Sequence, residues 1–308
     1  MITNGAFGVD LFFCISGFIM MHVTEKSSHR FLAKRVIRVV PLYWFTTFTI
    51  SAILIFRPDL FRTTLLTTEY FIKSILFIPY YYTGQSGQTF NSINMVGWTL
   101  IMEVFFYFLF FVAMKINHKY RHYIATAILA LMAIIGITTT SDNTLIRFYC
   151  SPIMLEFSLG MFGYRLLTRS DIKKRGLFAA NIALFVATLI WACLFMVTYI
   201  PQFIEIERFM LYGLPAFAVF ILVFKAFENR TVPRPLIVLG NISYSLYLSH
   251  AFVVQGFSRL IYDIDVFSPL GVVLIIVAVI PLTIIVGWVS WWLIEDKFTE
   301  WLKKRLRI

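Results

Sequence analysis

Residues 98–116 read WTLIMEVFFYFLFFVAMKI, nineteen positions with two charges, Glu103 and Lys115, and no turn residue. A helix needs about 20 mostly apolar residues to cross the hydrocarbon core of a bilayer. This stretch is therefore read as a transmembrane helix, over 97–116. Working outward, the same criterion finds eight more spans, at 7–24, 41–57, 123–140, 145–168, 177–199, 207–226, 236–256 and 268–294. The composition of the 308 residues agrees: 59% hydrophobic, 14% charged, mean hydropathy +0.80. A soluble domain carries about 45–50% apolar and about 25% charged residues. A soluble enzyme, a disordered chain and a nucleic-acid-binding domain are thereby excluded. The 33 phenylalanines and 15 tyrosines suit lipid-facing helices and interfacial belts. The expected fold is all-α, a polytopic transmembrane helix bundle of about nine spans forming one membrane domain over 1–308. The apolar piece 71–83, interrupted by Lys73 and Pro79, is too short to cross and reads as interfacial or re-entrant. The longest polar connection is 84–96.

The net charge of +11 is topological. Twenty-one of the 27 Lys and Arg residues fall in alternate connections and the C-terminal tail: the clusters around Arg35, Lys119, Lys173, Arg230 and Lys304. The intervening connections hold the other six and most of the acids outside the spans. Lys/Arg-rich connections stay in the cytoplasm, which predicts a cytoplasmic C-terminus and an N-terminus outside. Cys14, Cys150 and Cys193 lie in apolar stretches without metal-site or disulfide spacing, and read as small buried hydrophobes.

Three acids fall inside predicted spans: Asp10, Glu103 and Glu156. An ionisable group there costs a few kcal/mol on insertion scales and calls for a partner or a cavity. Asp10 is also placed to be a helix-start carboxylate at the interface, and Glu156 to be a structural hydrogen-bonding group. Glu103 has no pairing group near it in sequence. His22 reads as a snorkelling interfacial histidine. His29, His118 and His122 read as solvated in basic connections. Ser243, Tyr247 and His250 share one helical face and make a polar stripe inside a span. That stripe serves either a substrate or helix–helix hydrogen bonding.

The segment AKRVIRVVP, 33–41, sets Arg35 and Arg38 three apart on one helix face, at the basic end of a span. One reading is topological anchoring. The other is an anion clamp, since two guanidinium forks bind phosphate oxygens bidentately.

GVDLFFCISGF (8–18), FLAKRVIRVVPLYW (31–44), WTLIMEVFFYF (98–108) and LGNISYSLYLSH (239–250) occur in that order. With these segments the whole chain resembles the integral-membrane acyltransferase type 3 family, and within it the exopolysaccharide-type O-acetyltransferases. The resemblance implies transfer of an acyl group, usually acetyl, from cytoplasmic acetyl-CoA to a sugar hydroxyl of a surface polysaccharide or its lipid-linked precursor. It implies acetyl-CoA as donor substrate with no permanently bound cofactor, membrane lipid as a partner, no nucleic acid, and a bacterial inner membrane. By resemblance Arg35 and Arg38 hold the CoA phosphates. Trp98 and Glu103 fall on the family's tryptophan-to-glutamate motif, with Thr99 where serine is common. Asp10 and Ser16 fall on its first motif here. The family usually has one further helix ahead, carrying an arginine and a histidine taken as base; this sequence begins where the family's second span begins. The candidate catalytic residue is Glu103. The candidate substrate contacts are Arg35, Arg38, Asp10, Ser16, Trp98, Tyr247 and His250, with no metal ligands. Two alternatives remain open at this point: a polysaccharide-precursor or solute transporter, and a catalytically inactive shortened homologue.

Overall fold

The computed structural model describes residues 6–57, 66–84, 87–139, 141–168, 208–228, 230–260 and 268–306. The expected span 177–199, with Cys193, and the basic residues 169–175 lie outside them. Among the described residues eight helices are long and apolar enough to cross a membrane. They correspond to the other eight expected spans. Contacts gather into two compact units: residues 1–31 with 105–231, and residues 32–104 with 232–308.

Unit 1 contains α1 (Ala6–Lys26), the second half of α4 (Trp98–Ile116), α5 (Arg121–Thr138), α6 (Thr144–Tyr149), α7 (Leu155–Thr168) and α8 (Leu214–Phe227). A π-helical turn, Phe209–Gly213, leads into α8. The helix pair α1 and α7 packs backbone to backbone. A Cβ on Gly17 would strike the Phe157 carbonyl, and one on Gly160 would strike the Cys14 carbonyl. Small residues at a membrane helix interface allow this approach. Beside the contact, Phe157 stacks on Phe106 at 4.1 Å and meets Phe13 at 4.6 Å. The expected continuous span 145–168 is broken between α6 and α7 by the 3-10 turn Pro152–Met154. Pro152 lacks an N–H and disfavours helical geometry at the residue before it; Ser151 accordingly sits extended at φ −64°, ψ 133°.

Unit 2 contains α2 (Phe31–Phe56) from Leu32 onward, α3 (Thr68–Ile75), β1 (Tyr80–Gly84), β2 (Gly87–Asn91), the start of α4, α9 (Arg234–Leu260), α10 (Pro269–Leu274), α11 (Ile280–Ser290) and α12 (Thr299–Leu306). Helix α2 begins ten residues before the expected start at Pro41 and runs through that proline, so Arg35 and Arg38 are carried on the helix itself. The short apolar piece becomes α3. Thr67 caps it by accepting from the Tyr70 N–H at 3.1 Å. The polar connection folds into an antiparallel hairpin, with Tyr80 opposite Asn91 and Gly84 opposite Gly87. The ring of Tyr80 stacks on Tyr70 at 4.4 Å. Side chains hold α2 to its neighbours: Tyr43 Oη donates to the Ser74 carbonyl at 3.0 Å, Trp44 Nε1 to the Ile75 carbonyl at 3.0 Å, and Tyr244 Oη to the Val39 carbonyl at 2.7 Å. Gly287 of α11 lets Leu246 of α9 pack against it.

Helices α10, α11 and α12 are linked by two π-helical stretches, Ile275–Val279 and Trp291–Phe298. The Thr299 hydroxyl donates five residues back, to the Ile294 carbonyl at 3.0 Å. Such wide turns are frequent at functional sites. On this length Val277 and Ile285 are 68% and 58% exposed. Leaving an aliphatic side chain in water forgoes about 1.5–3 kcal/mol, so these faces require lipid.

Candidate active site

Unit 2 holds a cavity of about 530 Å³ at the basic end of its helices, within the size range of small-ligand sites. The first turns of α2 contribute Lys34, Arg35 and Arg38; α9 contributes Gly240 and Asn241; the stretch around the second π-helical segment contributes Trp291, Glu295, Asp296, Thr299 and Lys303. Four cations face two carboxylates, leaving the lining net positive by two. Arg35 is half-buried, and its Nε is buried without a hydrogen-bond partner among the described residues. A desolvated guanidinium donor left open is costly, and a phosphate oxygen would satisfy it. Glu295 accepts a hydrogen bond from Ser245 of α9 and lies within the electrostatic reach of Arg38.

Deeper along the same helices lies a polar cluster. Tyr247 Oη is 2.8 Å from the Thr99 hydroxyl and donates to the Val96 carbonyl at 3.0 Å. Asn94 Nδ2 reaches the Thr46 hydroxyl at 3.2 Å and the Leu248 carbonyl at 3.5 Å. Glu103, 5% exposed, acts electrostatically on Tyr247. On α2, Thr46 lies eight residues beyond Arg38, and on α9 Leu248 lies seven beyond Asn241. At 1.5 Å per residue the cluster is about 10–12 Å from the cavity along the helix axes. Trp98 is half-buried at the first position of α4.

Of the residues singled out from sequence, unit 2 thus brings Arg35 and Arg38 into one cavity and Glu103 and Tyr247 into one deeper cluster. His250 Nδ1 is 2.6 Å from the Tyr247 carbonyl one turn back, which makes Nδ1 the protonated nitrogen. The expected stripe is only partly realised: Ser243 is exposed and donates to the Gly240 carbonyl of its own helix at 2.8 Å. Asp10 and Ser16 belong to unit 1, where both are buried and Asp10 pairs with Arg208 at 3.0 Å.

Two expectations for basic connections are corrected. His122 is 1% exposed, with its ring 4.1 Å from that of Tyr123, so it is not solvated. Arg121, counted as a topological charge, is 6% exposed. It donates to the Thr24 hydroxyl at 3.2 Å and to the carbonyls of His118 at 2.6 Å and Met21 at 3.5 Å, so it ties the start of α5 to the end of α1. His118 is held below the usual histidine range by desolvation and then by the Arg121 charge, and is neutral at pH 7.

Trp291, Glu295, Thr299 and Lys303 were not singled out from sequence. Their signal is a recurrence every four residues. It is hard to see because an α-helical period would scatter that spacing.

The sequence profile of the acyltransferase domain family matches residues 1–292. The chain belongs to this acyltransferase family. It is 30% identical over 259 residues to the exopolysaccharide production protein ExoZ of Rhizobium meliloti, covering 82% of this chain and 78% of that protein. It is 25% identical over 283 residues to the O-acetyltransferase OatA of Staphylococcus aureus, covering 81% of this chain. The match spans 46% of OatA, less than half of its length. No solved structure matches. The protein is an acyltransferase and a multi-pass membrane protein.

Proposed function

We propose that this acyltransferase takes its acyl group, acetyl by preference, from acyl-CoA bound in the basic cavity and passes it to a sugar hydroxyl of a cell-surface polysaccharide or its lipid-linked precursor. The observation that carries this reading is the cavity itself: Arg35 and Arg38 line it beside Lys34 and Lys303, at the helix ends that the charge pattern assigns to the cytoplasm. CoA is a soluble polyanion with its thioester at the far end of a long flexible arm. Phosphates held by the arginine pair leave that arm to run along α2 and α9 toward the cluster of Thr99, Glu103 and Tyr247. The names of ExoZ and OatA favour a polysaccharide-related O-acetyl transfer.

In the proposed reaction the sugar oxygen attacks the thioester carbonyl. The new O–C bond forms, the C–S bond breaks, and the hydroxyl proton ends on the departing sulfur. Glu103 is the buried carboxylate suited to take the proton in passing, a role worth about 10²–10⁴ in rate. The Tyr247 hydroxyl, whose one proton rests on the Val96 carbonyl, is suited to turn it from there to the thioester carbonyl oxygen as charge builds on it.

The test is acetyl transfer from labelled acetyl-CoA to glycan in membranes, with donor binding measured separately on the purified protein in nanodiscs. Arg35→Ala with Arg38→Ala should abolish both. Glu103→Gln should keep donor binding and lose transfer. Donor binding unaffected by the double arginine substitution would overturn the clamp.

A further inference from the structure

Unit 1 contains a buried charge cluster that the acyl-donor reading does not use. Glu156, at the start of α7, is 0% exposed, and neither carboxyl oxygen meets hydrogen-bond geometry with a described residue. Asp10 of α1, also 0% exposed, is the carboxyl group that acts on it most strongly. Asp10 is itself ion-paired with Arg208, Nη1 lying 3.0 Å from Oδ1 without hydrogen-bond geometry and Nη2 donating to Oδ2 at 3.3 Å. The wall beside Glu156 is cut back for it: a Cβ on Gly213 would sit 2.8 Å from Oε1. Among the described residues, the other titratable side chains that interact with the pair are Cys14 of α1 and Tyr212 of the π-helical turn. Two carboxyl groups therefore share one guanidinium in a membrane interior.

The charge count decides what this cluster holds. With both carboxylates ionised it carries one uncompensated negative charge, which a span tolerates only at several kcal/mol. A bound metal ion would need several ligating side chains, and no group of three or more exists among the described residues. A proton needs only one oxygen. The ion pair and the one hydrogen bond give the guanidinium to Asp10, so the proton falls to Glu156. We infer that Asp10 and Glu156 form a one-proton binding site inside unit 1, with Arg208 paired to Asp10 and Glu156 carrying the proton. This site does not depend on the identity of the acyl donor.

The experiment is infrared spectroscopy of the purified protein in nanodiscs at neutral pH. The wild type should show a protonated-carboxyl stretch that shifts in D2O, and Glu156→Gln should remove one carboxyl's share of it. The amide has the shape and neutrality of the protonated acid, so this variant should retain its helical circular dichroism. Asp10→Asn should also remove the band at neutral pH, because Arg208 then turns to Glu156 and ionises it; the band should return on acidification. A wild-type spectrum without the band, or one unchanged by Glu156→Gln, overturns the proposal. Loss in Glu156→Gln with no effect of Asp10→Asn overturns the sharing, leaving a carboxyl kept neutral by burial alone. Should one variant not fold, the other still decides between band present and band absent.

Discussion

Arg38 and Glu295 line the same cavity with opposite charge, and this makes the donor site testable through a coupled pair of substitutions. A hydrogen bond to a charged group is worth about 1.5–3 kcal/mol. Arg38 is exposed at the cavity wall, so water screens it and the lower end applies. Arg38→Ala should weaken acyl-CoA binding about tenfold, by the conversion of about 1.4 kcal/mol per decade. Arg35, half-buried with an open Nε, should cost more, up to about a hundredfold. Glu295→Gln removes a negative charge from beside the phosphates and should tighten binding. Part of Arg38's effect is to mask Glu295, so Arg38→Ala should cost less in the Glu295→Gln background. Residues that share one charged network couple by about 0.5–3 kcal/mol. Isothermal calorimetry with CoA in nanodiscs at two salt concentrations measures all four corners of the cycle, and the arginine contribution should shrink at the higher salt. Weaker binding in Glu295→Gln, or strictly additive effects, would refute the shared-cavity reasoning.

Other outcomes follow from the packing. Gly160→Ala drives a Cβ into the Cys14 carbonyl; it should destabilise unit 1 by about 1–3 kcal/mol, seen as a lower melting temperature in detergent, whereas Gly240→Ala, with open space around its Cβ, should not. Arg121→Met strips two bonds from the end of α1 and one from the His118 carbonyl and should lower the melting temperature by an amount matching about 2–3 kcal/mol. Tyr247→Phe removes its bonds to Val96 and Thr99; it should cost about 1 kcal/mol of stability and lower kcat for acyl transfer while leaving the donor's Kd unchanged.

What the sequence reveals is what local spacing can encode. Apolar length finds the spans, because each helix satisfies its own backbone. Arg35 and Arg38 are legible as a pair because three residues bring them to one face. Asp10 and Arg208 lie 198 positions apart, and no periodicity links them. The hairpin 80–91 is hidden because its strands are short and the first falls mostly within the apolar piece 71–83, the second within the polar connection. His122 reads as solvated and Arg121 as topological because positive charge near a span end ordinarily is; the partners that bury Arg121, Thr24 and Met21 of α1, lie 97 and 100 positions away in sequence. Glu295 was passed over because its helix, read as a plain span, ends at 294 in the hydropathy pattern, one residue before it.

The wide turns at 291–298 act like a gear that resets the phase of the last helix. In an α-helix a step of four residues overshoots one turn by about 40°, so 291, 295, 299 and 303 would fan out over about 120°. The wider coil winds back against that drift, and all four side chains come to look into one space. Were 291–303 wound as a regular α-helix instead, that drift would return and turn Lys303 about 120° away from Trp291, while the membrane-embedded length before it stays in place.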